Sequence, residues 1–226
     1  MINRKLWSVA VILLIVGTYL GVAQAQGPGW QGPKMLGIWE PKVGSGAAYR
    51  IETKKAAESS TWEWAVVGTE KVGADTGYWV EMYGQQRRGE AVVMKQLTVW
   101  RGDHPEIKRM IVQTGTEPPM ELPMTMMGAR QPTSEQRDVR QRGKRVGTET
   151  IVTPAGSFSC EHWQETDSTG THDVWVSKDV APYGLVKASD PETTMTLVRV
   201  ISSAISRIKG TPRSMEEMMR EQQRHE

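Results

Sequence analysis

One segment, Val146-Gly147-Thr148-Glu149-Thr150-Ile151-Val152-Thr153-Pro154-Ala155-Gly156-Ser157-Phe158-Ser159-Cys160, predicts two short strands that flank a Pro-Ala-Gly turn. A partial copy, Val67-Gly68-Thr69-Glu70, stands earlier in the chain. In each copy a second glycine follows nine residues after the first, and an aromatic residue follows two positions later: Gly77 and Trp79, then Gly156 and Phe158. The repetition predicts two related hairpins of one sheet, whose glycines provide positive φ angles or a β-bulge.

Apolar segments separated by turn residues recur along the chain, and their short connections predict an antiparallel meander rather than βαβ units. About ten strands are predicted, at 48–54, 61–72, 78–83, 91–100, 107–113, 145–153, 157–164, 172–177, 183–188 and 194–202.

Both faces of these strands are apolar. In 107–112, for example, Ile107 and Ile111 lie on one face, and Met110 and Val112 lie on the other. The two predicted helices, near 135–142 and in the tail, are too polar to cover a sheet. We therefore predict an all-β fold with minor helix, in which a curved antiparallel sheet forms an unclosed β-barrel that can enclose an apolar cavity.

The predicted organisation has four parts. Residues 1–25 are a signal peptide, 26–46 a Gly/Pro-rich leading segment, 47–210 a single antiparallel β domain, and 211–226 a tail that is helical in part. Within the domain, 114–144 is a lid or insertion. Its first half is rich in methionine and holds Pro118, Pro119 and Pro123, which exclude a central strand and a regular helix.

The N-terminus has the features of a secretory signal. Arg4 and Lys5 precede an apolar run to Val22, and Ala23-Gln24-Ala25 is a small-x-small cleavage site. This site favours cleavage over the alternative, an uncleaved membrane anchor. No cysteine stands near it, so a lipobox is absent. We expect a periplasmic or secreted protein with no stable membrane anchor after cleavage.

Charge and cysteine content exclude several classes of protein. Without the signal the chain would carry 26 basic and 26 acidic residues, which gives no argument for binding nucleic acid or an anionic membrane. Cys160 is the single cysteine, so no internal disulfide can form. We interpret it as a small buried residue on a strand.

The two Val-Gly-Thr-Glu hairpins, together with Asp173-Val174-Trp175-Val176-Ser177 and Ala181-Pro182-Tyr183-Gly184-Leu185-Val186-Lys187, resemble the lipoprotein-localisation superfamily over roughly 49–201. This group holds the periplasmic lipoprotein carriers and exported relatives. The resemblance implies an unclosed antiparallel barrel with a lid over a hydrophobic cavity. It also implies that the partner is a hydrophobic small molecule, a lipid or a lipidated protein.

The resulting hypothesis is a non-enzymatic binding protein without cofactor or metal. The residues expected to line the ligand site are Trp62, Trp64, Trp79, Phe158 and Trp175. Those expected to form the lid are Met120, Met124, Met126 and Met127. Neither a Cys160–His162 dyad, whose side chains stand about 7 Å apart, nor a Glu70–Glu149 carboxylate pair is expected to be catalytic. Each glutamate is expected to support its hairpin by a turn or cross-strand contact.

Two alternatives belong to other classes. The first is a Cu(I)-binding protein in which two or three lid methionines converge, with His104 or His162, because thioether sulfur suits Cu(I). The second is an envelope interaction module without a small ligand, in which side chains fill the interior of the sheet.

Overall fold

The computed structural model describes residues 35–54, 59–85, 90–102, 104–124, 137–215, 217 and 220. Within them one curved, unclosed sheet of twelve strands accounts for most of the fold, which confirms the predicted all-β class. The predicted signal peptide lies outside the described residues.

All ten predicted strands are present. They are Gly46–Thr53 (β2), Ser60–Val72 (β3), Asp75–Gln85 (β4), Ala91–Arg101 (β5), His104–Thr114 (β6), Lys144–Thr153 (β9), Gly156–Asp167 (β10), Gly170–Val176 (β11), Leu185–Ser189 (β12) and Thr193–Ile201 (β13). Four short strands, which sequence reasoning did not find, are Met35–Leu36 (β1), Met120–Leu122 (β7), Arg137–Asp138 (β8) and Arg213–Ser214 (β14). The described helix Val139–Arg142 (α1) is shorter than the predicted one and begins after its N-cap Asp138.

The sheet order is β14-β7-β6-β5-β4-β3-β2-β13-β12-β11-β10-β9, and β1 pairs with β8 in a separate two-stranded sheet. Strand β2 lies between β3 and β13 and so joins the two meanders β2–β7 and β9–β13. Neighbouring strands of the large sheet are antiparallel, except that β14 is parallel to β7.

We call the face that carries Tyr49, Trp64 and Trp100 the inner face, because residues of distant elements meet there. The Tyr49 hydroxyl donates to the carbonyl of Leu185 at 3.0 Å. Tyr183, which follows β11, contacts the rings of both Trp64 and Trp100. Burial raises the pKa of both tyrosines well above the usual value. The inner face therefore holds the core that links the two meanders.

The outer face of β3–β6 is covered by an extended segment, 202–212, which we call the outer strap. Ile208 of the strap packs against a core of Trp79, Leu97 and Ile111 on that face. The backbone N–H of Lys209 donates to the Gln113 side chain at 2.8 Å. Both faces of the sheet are apolar, as predicted, and this half of the outer face is covered by chain that lacks regular structure.

The strap also donates hydrogen bonds to buried carboxylates. Glu81 is 3% exposed and accepts from Ser206 Oγ at 2.7 Å and from the Arg207 backbone N–H at 2.9 Å. Glu63, which is also buried, is paired with the guanidinium groups of Arg207 and Arg199. These contacts hold the strap because a buried carboxylate needs hydrogen-bond donors.

Beyond the strap, Ser214 and Glu217 form a capping box. The Glu217 backbone N–H donates to Ser214 Oγ, and the Ser214 backbone N–H donates to Glu217 Oε2. None of the helices among the described residues has the length and apolarity that crossing a membrane requires.

Candidate functional site

Both Val-Gly-Thr-Glu copies form a β-bulge at their valine. Gly68 pairs with Trp79 of β4, and the valine before Gly68 is an extra residue between two successive pairs. Gly147 pairs with His162 of β10, and again the preceding valine is the extra residue. A bulge bends a strand and increases its twist. The repeat therefore contributes to the curvature of the sheet, and the extra residue of each bulge is the valine rather than the glycine.

The two copies diverge after their glutamates. Gly77 lies within β4, directly opposite Glu70, whereas Gly156 begins β10 directly after the turn and has a φ of +128°. The register makes His162, and not Phe158, the structural counterpart of Trp79. The sequence spacing suggested Phe158 because the second hairpin is longer beyond its glutamate.

Each glutamate accepts a hydrogen bond from a tryptophan ring. Trp79 Nε1 donates to Glu70 at 3.1 Å, and Trp175 Nε1 donates to Glu149 at 2.6 Å. His162 Nδ1 lies 3.1 Å from Glu149. The glutamates therefore make cross-strand contacts, as predicted, in two separate networks.

The Glu70 network centres on Arg109. Its guanidinium donates to Glu121 at 2.7 Å and to Glu70 at 3.1 Å. Hydrogen bonding to Glu121 raises the pKa of Arg109, and the same contact lowers the pKa of Glu121. Arg109 and Lys95 both lie over the Trp79 ring, at 5.2 and 4.9 Å from its centroid. Trp79 is therefore fixed on the outer face by the network and the strap.

The Glu149 network centres on His162. Its Nε2 atom lies 2.7 Å from Asp173, and its ring stacks on Trp175 with centroids 4.5 Å apart. The Lys187 ammonium lies 4.9 Å from the same Trp175 ring. Carboxylates thus face both nitrogens of His162, and a cation and an imidazole contact Trp175.

Cys160 lies on the same outer face and is fully buried. Burial raises the pKa of its thiol to about 11. The thiol is therefore protonated at neutral pH, and both His162 nitrogens contact carboxylates. The Cys160–His162 pair therefore has no thiolate that could act as a nucleophile.

The structure divides the five predicted lining residues between the two faces. Trp62 and Trp64 lie on the inner face and are partly exposed. The register places Trp79, Phe158 and Trp175 on the outer face. The inner face thus brings together only the first pair.

An aromatic cluster occupies one end of the inner face. Trp39, from the segment after β1, stacks on Trp100 with centroids 5.0 Å apart and also contacts Tyr78 and Tyr183. Trp64 joins the cluster through Tyr183. Side chains of the protein therefore fill this end of the inner face.

The other end carries four methionines, of which sequence reasoning assigned only Met120 to a site. Met82 of β4 is directly opposite Met94 of β5, and both are partly exposed. Met110 of β6 and Met120 of β7 follow on the same face and are buried. We call these four residues the methionine row. Side chains alternate between the two faces along each strand, and this alternation is the sequence signal for these methionines. It shows that they share a face only when the register between the strands is known.

The Trp62 ring lies against Gly84, beside the methionine row. A Cβ atom at Gly84 would stand 2.7 Å from the ring carbons. Only glycine leaves room for the ring at this position. Trp62 and Met82 are diagonal neighbours, because Met82 is opposite Trp64. Trp62 and the methionine row thus form one continuous apolar surface.

The four predicted lid residues do not lie in one common element. Met120 is part of β7 and is 5% exposed. Met124 follows that strand and is partly exposed. Met126 and Met127 lie outside the described residues. The short strand β7 forms between Pro119 and Pro123 at the margin of the sheet, where the prolines interrupt no central ladder.

Three buried polar atoms have no hydrogen-bond partner among the described residues: Thr98 Oγ1, Thr193 Oγ1 and Glu165 Oε2. The register places all three side chains on the inner face. The described ranges contain no group of three or more His, Cys, Asp or Glu side chains that could hold a metal ion. This does not concern methionine sulfur.

Residues 79–205 match a family described as a domain of unknown function, DUF4412. The chain belongs to the DUF4412 family. The match begins in β4 and ends in the outer strap, and it contains the second Val-Gly-Thr-Glu copy but not the first. It also leaves out β2 and β3, which lie between β4 and β13 in the sheet. The sheet therefore depends on strands from outside the DUF4412 match.

No protein of curated function matches the chain. Two solved structures resemble it weakly. A candidate lipoprotein of Parabacteroides distasonis is 12% identical, with 74% of this chain and 99% of that chain covered and a TM-score of 0.36. A candidate exported protein with a YmcC-like fold from Bacteroides fragilis is 10% identical, with 73% and 99% covered and a TM-score of 0.35.

Proposed function

We propose that this protein is an exported, non-enzymatic binding protein that holds a hydrophobic ligand on its inner face. The ligand class is a lipid, an acyl chain or a lipidated protein. Export is supported by the signal-like residues 1–25. The resemblance to the lipoprotein-localisation superfamily agrees with this ligand class.

One observation carries the proposal. Partly exposed Trp62, Met82 and Met94 form an apolar surface on the inner face. Apart from each other, the residues that pair with them across the sheet are Tyr49, Gly84, Trp64 and Val112, and none of these carries a charge. Partly exposed methionines adapt their shape to varied apolar partners. Contiguous exposed apolar surface of this kind typically marks a binding site.

The first experiment asks whether a ligand is present. Protein purified from its native envelope is extracted with organic solvent, and the extract is analysed by mass spectrometry. We expect one class of lipid in stoichiometric amount. Repeated absence of lipid, with no uptake of a fluorescent fatty acid by the purified protein, would count against the proposal and favour an interaction module.

The second experiment places the ligand. Met94→Lys introduces a charge into the middle of the apolar surface, and Val152→Lys introduces the same charge at a valine that is 77% exposed elsewhere. Because an ammonium group is costly to desolvate, Met94→Lys should weaken fatty-acid binding by at least about tenfold. Val152→Lys should leave binding unchanged. Equal effects of both substitutions would show that the inner face is not the site. Circular dichroism verifies that both variants fold.

A further inference from the structure

Four neighbouring strands each place one methionine on the same face of the sheet. Met82 and Met94 are directly opposite each other, and Val112 separates Met94 from Met120 along one row. Met110 lies one diagonal step from both Met94 and Met120. Directly opposed residues have Cβ atoms about 4.5–5.5 Å apart, and diagonal neighbours about 7–8 Å.

These distances allow sulfur atoms to converge. A methionine side chain has three rotatable bonds, so the thioethers of Met82 and Met94 can approach a common point. Met110 can reach the same point from the diagonal position. Met82 and Met94 are both partly exposed, as exchange of an ion with solvent requires.

The chemistry of this surface suits a soft, monovalent cation. Thioether sulfur is a neutral, soft donor that selects Cu(I) over hard divalent ions. The described residues that pair with Met82 and Met94 on the flanking strands, Trp64 and Val112, carry no charge. The face of a tryptophan ring attracts cations, and Trp62 lies beside Met82.

We propose that Met82 and Met94 bind Cu(I), with Met110 as the third thioether ligand and the Trp62 ring beside the ion. This goes beyond the proposed hydrophobic ligand, although both would use the same face. It also differs from a site made by Met124, Met126 and Met127. The donors in the present proposal lie on paired strands, so the sheet fixes their relative positions.

The test is a titration with Cu(I) under reducing conditions, in which the protein competes with a chromophoric Cu(I) chelator. Ag(I), which has the same preference for thioethers and no redox change, is the second probe. We expect one ion per protein. Replacing both Met82 and Met94 by leucine should weaken binding by at least a hundredfold, and each single replacement by about tenfold.

Matched controls separate the alternatives. Met195→Leu alters a methionine that is 1% exposed on β13 and should leave the affinity unchanged. A triple replacement of Met124, Met126 and Met127 by leucine should also leave it unchanged. The proposal is overturned if the wild-type protein binds no Cu(I) or if the Met82→Leu/Met94→Leu variant retains its affinity. It is equally overturned if the triple replacement abolishes binding.

Two assays on the wild-type protein distinguish this proposal from the hydrophobic one, because Met82 and Met94 belong to both candidate sites. Uptake of a fluorescent fatty acid without binding of Cu(I) would refute only the metal site, and binding of Cu(I) without uptake of fatty acid would refute only the hydrophobic site. Each proposal can therefore fail without the other.

Discussion

The attachment of the outer strap can be measured through one hydroxyl group. Ser206 Oγ donates to the buried Glu81 at 2.7 Å and accepts from the Ile208 backbone N–H at 3.3 Å. Ser206→Ala removes both contacts and leaves Glu81 with the Arg207 backbone N–H. A hydrogen bond to a charged group contributes about 1.5–3 kcal/mol. Because Ser206 is partly exposed and water can substitute in part, we expect the lower value, about 1.5 kcal/mol.

Urea unfolding followed by circular dichroism gives the change in the free energy of unfolding, and a thermal melt should shift down by about 3–6 °C. Ser202→Ala is the matched control, because Ser202 is exposed in the same strap and should change stability by less than about 0.5 kcal/mol. A double-mutant cycle with Glu81→Met isolates the contact, because methionine removes the oxygen that accepts from Ser206. The reasoning is refuted if Ser206→Ala behaves like Ser202→Ala or if the cycle gives no coupling energy.

Three further predictions concern buried or paired groups. Thr98→Val removes a buried hydroxyl that has no partner among the described residues, so it should raise the free energy of unfolding by about 1 kcal/mol. The control is Thr196→Val at a partly exposed position, which should not raise it. A decrease for Thr98→Val would show that its hydroxyl is satisfied. Arg109→Met should lower stability at pH 7 by about 1 kcal/mol or less, because its partners are partly exposed. The contact lowers the pKa of Glu121 in the folded state, so its stabilisation is present above the ordinary pKa of 4.5 and is lost as pH falls through the lowered value. Urea unfolding at pH 7 and at pH 3 should therefore show a smaller difference between variant and wild type in acid, and an equal difference would contradict the assignment. Cys160, with a pKa of about 11, should react with iodoacetamide near pH 8 only after unfolding, and mass spectrometry of native protein should show no adduct.

The long strands could be predicted from sequence because each has its own apolar pattern and turn residues. The short strands β7 and β14 could not, since two or three residues carry no periodicity and form only when a partner edge is present. The position of the outer strap could not be predicted from the sequence either. Its contacts, such as Ile208 on the Trp79 core, depend on where the chain lies after the last long strand.

The candidate site was harder to predict because bulges change which residues share a face. Trp64 and Trp79 belong to the same hairpin, yet the bulge at Val67 and the pairing of Val66 with Val80 place them on opposite faces. The methionine row depends on register without a bulge, since Met82 and Met94 become neighbours only through the β4–β5 pairing. Residue type identified apolar candidates, and register decided which of them meet.

The position of β2 has a consequence for how the chain reaches its fold. Residue pairs such as Gly46 with Ile201 join the first long strand in the chain to the last long strand. This ladder therefore closes a loop that contains almost the whole domain. Pairing over such a sequence separation is slow, because the entropy of closing the loop is lost before contacts compensate for it. The meanders β2–β7 and β9–β13 contain only local connections, and we expect them to form first. Until β13 arrives, β2 is an unpaired edge, which makes the last step of folding the one most exposed to aggregation.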